Sequence, residues 1–242
     1  MNKTNSNYLS QAFSCGKIAV LISLFEKNMS EQLSTALSMA EKKISQMLIM
    51  QDAMNSRVSV TWRDNGYEWY RAIWVECAEM LDHHGWKWWK HQEIDIAQVQ
   101  LELVDIFHFG LSLRLMSGDS ADSIASVLAK ELHQGTAESD FKIALENLAS
   151  AAVTGKVFDA KALADCMSLM NMDLDELFRQ YVGKNTLNFF RQDHGYKEGS
   201  YTKEWHGEED NEVLAKLVTT LDTDAEDFQQ QLYQALEEKY PA

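Results

Sequence analysis

Two pairs of acidic residues sit where acids are costly. Glu76 and Glu79 are three residues apart, as are Glu102 and Asp105, a spacing that puts each pair on one face of a helix. The second pair lies inside Leu101-Glu102-Leu103-Val104-Asp105-Ile106-Phe107. A helix this apolar is expected to be buried, and an isolated ionised carboxylate there costs many kcal/mol. Four such groups stay charged together only if cations neutralise them. Hard oxygen donors without cysteine suit Mg²⁺, with Mn²⁺ as the second choice. A lone E-x-x-E is usually a solvated helix face. Two such motifs flanked by large apolar residues argue for a divalent-metal site instead. A ferritin-type di-iron bundle is the rival arrangement, but it asks for two Glu-x-x-His motifs. Here only Asp105-x-x-His108 approaches that pattern.

A set of cations could answer these acids. Lys184, Asn188 and Arg191 fall at i, i+4 and i+7, along one helix face. Lys197 and Lys203 follow in the glycine-rich stretch from Gly195 to Gly207, beside Tyr196 and Tyr201. Metals on one wall and Lys, Arg, Asn and Tyr on the other make a slot for an oligophosphate. Taken alone, the same stripe reads equally well as a solvated basic face. No phosphate-binding P-loop is present, since Gly16-Lys17, Gly155-Lys156 and Gly183-Lys184 all lack the glycine five residues upstream.

The elements that must carry these residues are helical. The chain of 242 residues has one proline, next to last, and 11 glycines, too few turn residues for a sheet protein. The fold class is all-α. Helices are expected from residue 29 to about 55, from 67 to about 84, and from an Asp95 N-cap to about 117. Two or three short Ala-rich helices, broken at Gly135 and Gly155, fill 120–171. Asp173, with Glu176 three on, should cap a helix reaching about residue 191. The glycine-rich stretch after it reads as a loop. Residues 204–242 hold 11 acids against 2 Lys and read as one or two solvated helices. Residues 1–28 read as an extension, with Met29 a candidate physiological start. Residues 29–242 form one unit, with 118–180 a subregion free to move.

A net charge of −15 argues against a nucleic-acid or anionic-membrane partner, either of which needs a basic face. The three cysteines, Cys15, Cys77 and Cys166, are far apart and suggest neither zinc nor a disulfide framework. The best apolar run, Ile18 to Phe25, is too short to span a membrane. A cytoplasmic protein is the expectation.

Three blocks resemble the dimeric, all-α dUTPase family. The first is Trp69-Tyr70-Arg71-Ala72-Ile73-Trp74-Val75-Glu76-Cys77-Ala78-Glu79, continued by Leu81-Asp82-His83-His84-Gly85-Trp86-Lys87-Trp88-Trp89-Lys90. The second runs from Gln98 through Glu102 and Asp105 to Phe109. The third joins Gly183-Lys184-Asn185-Thr186-Leu187-Asn188-Phe189-Phe190-Arg191-Gln192, Gly195 to Tyr201, and Glu209-Asp210-Asn211. With Gln51 and Asn55 they cover roughly 51–117 and 181–211.

The resemblance implies the helical bundle of all-α nucleoside triphosphate pyrophosphatases, shared with MazG-type enzymes and carrying a smaller helical subregion. It implies a homodimer that hydrolyses dUTP to dUMP and pyrophosphate, limiting uracil in DNA and supplying dUMP. Attack at the β-phosphorus, which would admit dUDP, is implied as well. It assigns Mg²⁺ to Glu76, Glu79, Glu102 and Asp105; of the E-x-x-E pair, Glu76 or Glu79 is expected to accept the water's proton. It assigns phosphate binding to Lys184, Asn188, Arg191, Tyr196 and Lys203. It makes Gln51, Asn55, Trp89 and His108 the base and sugar contacts. Phe107 stands where the family often has tryptophan. Of the tryptophans in 86–89, at least two are expected in packing or a dimer contact, with Trp89 lining the base. His83 and His84 read as structural. Base choice stays open: a Gln or Asn amide serves uracil or cytosine by flipping, so dCTP is an alternative substrate.

Overall fold

The computed structural model describes residues 5–222, 225 and 227–241, with side chains from residue 25 onward. By internal contacts the chain forms two units, Met1–Ala40 and Glu41–Ala242. The expectation for residues 1–28 falls largely outside the described side chains. In the first unit the backbone is helical from Asn5, where α1 (Asn5–Val58) begins. Phe25, Met29, Leu33 and Met39 are exposed there.

Within the second unit, α3 (Ile96–Leu115) is the central apolar helix, packing on the helices that carry 69–84, 121–134, 160–169 and 174–193. Leu103, Val104, Ile106, Phe107 and Leu111 are fully buried. At Gly110 a Cβ would fall 2.7 Å from the Phe158 ring, so only glycine lets that ring sit against α3. Among the described residues, α3 is the one helix long and apolar enough to cross a membrane, and more than half of it is buried in the protein's own core. Its main partner is α2 (Trp69–His84), which buries Ile73, Cys77 and Met80. The end of α1 joins them through Ile44, Met47 and Leu48, all fully buried.

Next come α4 (Ala121–Gln134), α5 (Phe141–Ser150) and α6 (Ala160–Leu169), with one widened helical turn at Ala151–Gly155. They pack on one another and on α2 and α3. The carboxylate of Asp165, on α6, accepts from the backbone N–H groups of Thr136, Ala137 and Glu138 and from the Thr136 hydroxyl. A loop that would otherwise bury orphan donors is thereby satisfied. Capping explains where several of the helices start. Asp95 accepts from the Gln98 N–H at 3.2 Å, and Asp173 from the Glu176 N–H at 2.8 Å. Each such cap contributes about 1 kcal/mol.

The C-terminal third differs from expectation in two respects. The glycine-rich stretch is not all loop: β1 (Glu204–Trp205) and β2 (Glu208–Glu209) pair antiparallel. The turn between them places His206 at φ 54° and Gly207 at φ 91°, the left-handed pair a two-residue hairpin requires. The acidic tail is not simply solvated either. Helices α8 (Asp210–Val218) and α9 (Phe228–Lys239) pack on α7 (Leu174–Asp193). They bury Val213, Leu214, Phe228, Leu232 and Leu236. Both are amphipathic, and most of the acids occupy the outer faces. Cys77 and Cys166 are free and buried.

Candidate active site

Helices α2 and α3 bring three carboxylates together. Ligand oxygens of Glu76, Glu102 and Asp105 all lie within 4.8 Å of one another. Glu79 stands outside that trio and is exposed. It is still close enough for its charge to act on both Glu76 and Glu102. The expectation of four buried acids therefore resolves into a half-buried trio with Glu79 at its rim, because α2 turns its 79 position outward.

The electrostatics of the trio are those of a site built for a cation. Burial, then the Asp105 charge, push Glu76 up to about 8, and Glu102 is raised by the same two causes. Their carboxyls face each other closely enough to share a proton. Three converging carboxylates with no thiol among them fit a hard divalent ion such as Mg²⁺. Two basic side chains stand beside the trio. Lys184 Nζ donates to Asp105 Oδ2 at 3.0 Å, and His83 Nε2 lies 3.5 Å from Glu102 Oε1.

From Lys184 the cationic stripe continues along α7. Arg191 donates through Nε and Nη2 to the two oxygens of Asp210, both at 2.8 Å, and through Nη1 to Asn188 Oδ1 at 3.2 Å. Tyr201 OH donates to Asp210 Oδ2 at 2.8 Å. Burial opposes the Arg191 charge, but Asp210 outweighs it and holds the guanidinium above its ordinary range. The Tyr196 ring lies 6.0 Å from the Arg191 guanidinium and 5.7 Å from Lys203 Nζ. Asn188, Arg191, Tyr196 and Lys203 thus form one cluster, with Lys184 between it and the carboxylates.

A second polar cluster is fully enclosed. Gln51 Nε2 donates to Asn55 Oδ1 and Ser112 Oγ, each at 3.0 Å, and Asn55 Nδ2 donates to Ser112 Oγ at 3.0 Å. Gln51 Oε1 lies 2.7 Å from Tyr181 OH and 2.8 Å from His108 Nδ1. The His108 and Tyr181 rings stack at 4.0 Å. Burial, then Lys184, push His108 down to about 3, so the ring is neutral. Trp89 is not part of this group. It is 57% exposed and packs edge-on against Trp86 and Trp88, which are exposed too. None of the three is in the core.

Residues 43–196 match the family model described as dUTPase. The chain belongs to the all-α dUTPase family. It hydrolyses dUTP to dUMP and pyrophosphate. Family membership also implies Mg²⁺-dependent catalysis and an oligomeric assembly. No individual curated protein matches. The matched span includes the four carboxylates and all of α7, and it stops short of Lys203 and Asp210.

Several residues of these clusters had no distinct signal in the sequence. Ser112 and Tyr181 are polar groups in apolar helical surroundings, with no spacing rule to mark them. Asp210 falls in the third resembling block, but its spacing from other residues gave it no role. Asn185, fully buried with neither amide atom hydrogen-bonded, could have been found as a lone amide on the inward face of α7.

Proposed function

We propose that dUTP lies across the carboxylate trio and the cationic stripe of α7, with its base against the enclosed Gln51–Asn55–His108 cluster. The observation that carries this reading is the convergence of Glu76, Glu102 and Asp105 within 4.8 Å, with Lys184 3.0 Å from Asp105. Glu76, Glu102 and Asp105, with Glu79 at the rim, hold Mg²⁺, or Mn²⁺ in its place. A divalent ion so held supplies Lewis-acid neutralisation of phosphate charge. Glu79, exposed and outside the locked trio, accepts the proton of the attacking water as it adds to the β-phosphorus. The bond between that phosphorus and the oxygen bridging to the α-phosphate breaks, releasing dUMP and pyrophosphate. Lys184, Asn188, Arg191, Tyr196 and Lys203 bind the phosphates and neutralise the departing pair. Because the reacting phosphorus is β, dUDP is a substrate too.

The enzyme works as a homodimer in the cytoplasm, limiting uracil in DNA and supplying dUMP. Exposed Trp74, Trp86, Trp88, Trp89, Ile94 and Ile96 support a partner subunit covering this end of α2 and the segment after it. Trp89 would then reach a base only in the assembled dimer.

Pyrophosphate release from dUTP, dCTP, dTTP and UTP, with Mg²⁺ and with EDTA, tests the reading. Rapid Mg²⁺-dependent turnover of dUTP, with phosphate released from dUDP, is expected. Full activity in EDTA, or in Glu102→Gln, would overturn the placement of the metal.

A further inference from the structure

The enclosed cluster has hydrogen-bond polarity that can be counted proton by proton. The Ser112 hydroxyl has one proton, and it donates this to the backbone carbonyl of His108 at 3.1 Å. It therefore faces Gln51 and Asn55 as an acceptor, and both amides must present their NH₂ groups to it. That turns Gln51 Oε1 toward His108 Nδ1, 2.8 Å away. A carbonyl oxygen can only accept, so Nδ1 carries the proton. A neutral imidazole has one ring proton, which leaves His108 Nε2 a bare lone pair. The stacked Tyr181 ring stops the imidazole from turning over. In this structure Nε2 is buried with no hydrogen-bond partner, a costly arrangement unless something donates to it.

We propose that His108 Nε2 is the acceptor that selects uracil over cytosine, with Ser112 and Tyr181 as the positioning residues that hold its tautomer. This rests on the reading that the base of dUTP lies against this cluster. Uracil offers an N3–H donor to the lone pair. Cytosine presents an acceptor at N3, which would face another acceptor. Asn185, one helical turn beyond Tyr181 with both amide atoms free, can flip to serve the flanking groups of either base. Amides alone cannot discriminate here. A ring of locked tautomer can.

The test uses the full chain carrying ¹⁵N-labelled histidine, observed by NMR. The free protein should show His108 protonated at Nδ1. A dUTP analogue with an imido bridge between the α- and β-phosphorus should shift the Nε2 resonance toward a hydrogen-bonded value. The matching dCTP analogue, at equal saturation, should not. Ser112→Ala frees the Gln51 amide to turn, and His108 should then populate the Nε2–H tautomer. The ratio of kcat/KM for dUTP over dCTP should fall about 100-fold in the same variant, the scale of one mismatched buried hydrogen bond. His108→Gln, a side chain free to flip, should lower the ratio similarly. An Nε2–H tautomer in the analogue complex of the wild-type protein would overturn the proposal. So would an Nε2 resonance indifferent to the dUTP analogue in an enzyme that turns over dUTP. An unchanged ratio in Ser112→Ala despite a shifted tautomer would also overturn it. A wild-type protein inert toward dUTP would instead remove the reading beneath it.

Discussion

Replacing Asp210 with Asn should cost about 3 kcal/mol of stability and loosen the phosphate end of the site. Asp210 is 1% exposed and receives three hydrogen bonds at 2.8 Å, two from Arg191 and one from Tyr201. The Arg191 side chain is itself only 11% exposed. Asparagine keeps the volume but turns an NH₂ toward one arm of the guanidinium and removes the counter-charge. Breaking one side of a buried ion pair costs about 3–5 kcal/mol, and the acceptor that Asn retains places the effect at the lower end. For a chain of this length that is a drop of roughly 6–12 °C in Tm. Urea melts of wild type, Asp210→Asn, Arg191→Met and the double variant separate the pair from its surroundings, with an expected coupling of about 2 kcal/mol. The pH dependence has a definite sign. Burial raises the Asp210 carboxyl, but Arg191 outweighs it and holds the group below 3.8, its ordinary value. Its contribution is therefore present above 3.8 and lost as pH falls through the lower folded value, so the gap between wild type and variant should close only in acid. KM for dUTP should rise in Asp210→Asn, because Arg191 loses the anchor that aims it. A variant within about 1 kcal/mol of wild type at neutral pH, or additive single effects with no coupling, would show that Arg191 and Asp210 do not act as a buried pair.

The same geometry carries three further expected outcomes. Glu79→Gln should lower kcat by about 10²–10⁴-fold with almost no change in the melting curve, since the side chain is exposed; turnover near wild type would exclude it as the base. Without metal, Glu76 stays protonated up to about 8, whereas a carboxyl in the unfolded chain releases its proton near 4.5. The contribution of Glu76 to stability in EDTA should therefore be full below 4.5 and lost as pH rises through about 8, and Mg²⁺ binding at neutral pH should release about one proton. Calorimetry in buffers of different ionisation enthalpy reads that proton, and metal binding without release would contradict the shared-proton arrangement. Asp165→Ala leaves three loop N–H groups without their acceptor and should destabilise by about 3 kcal/mol or more; a loss under 1 kcal/mol in a thermal melt would show that water replaces the carboxylate at no cost.

The helices were legible because their signals are local. Asp95 and Asp173 announce themselves as caps through Gln98 and Glu176, each three positions on, and both do cap. The hairpin was hidden because its signal is a single Gly207 after His206 at positive φ, a conformation uncommon for residues other than glycine. Acids were visible at 102 and 105 because their apolar neighbours made them anomalous. The same reasoning could not separate Glu76 from Glu79, since only packing decides which side of α2 meets α3. Nor could it give Asp210 a partner, although Glu209-Asp210-Asn211 stood out in the third resembling block. Burial there depends on α8 packing on α7 and on Trp205 packing against Phe190, a long-range event with no local mark. Ser112 and Tyr181 lie further still from legibility, because a hydroxyl in an apolar helix acquires meaning only from its partner's proton.

The two ends of the site share one ruler. On α3, Asp105, His108 and Ser112 succeed one another at helical turns; on α7, Tyr181, Lys184, Asn188 and Arg191 do the same. The helices are tied at both levels, Lys184 to Asp105 at 3.0 Å and Tyr181 stacked on His108 at 4.0 Å. Seven residues of α3, about 10 Å of helix rise, therefore fix the spacing between the carboxylate end and the enclosed polar cluster. Nothing in a loop has to be positioned for that distance to hold. A one-residue insertion between Asp105 and His108 would leave an intact helix and turn one end about 100° from the other. Lys184 and Tyr181 could then no longer be satisfied together. Rigidity of this kind makes the register of α3 against α7, rather than any one side chain, the feature on which both ends of the site depend.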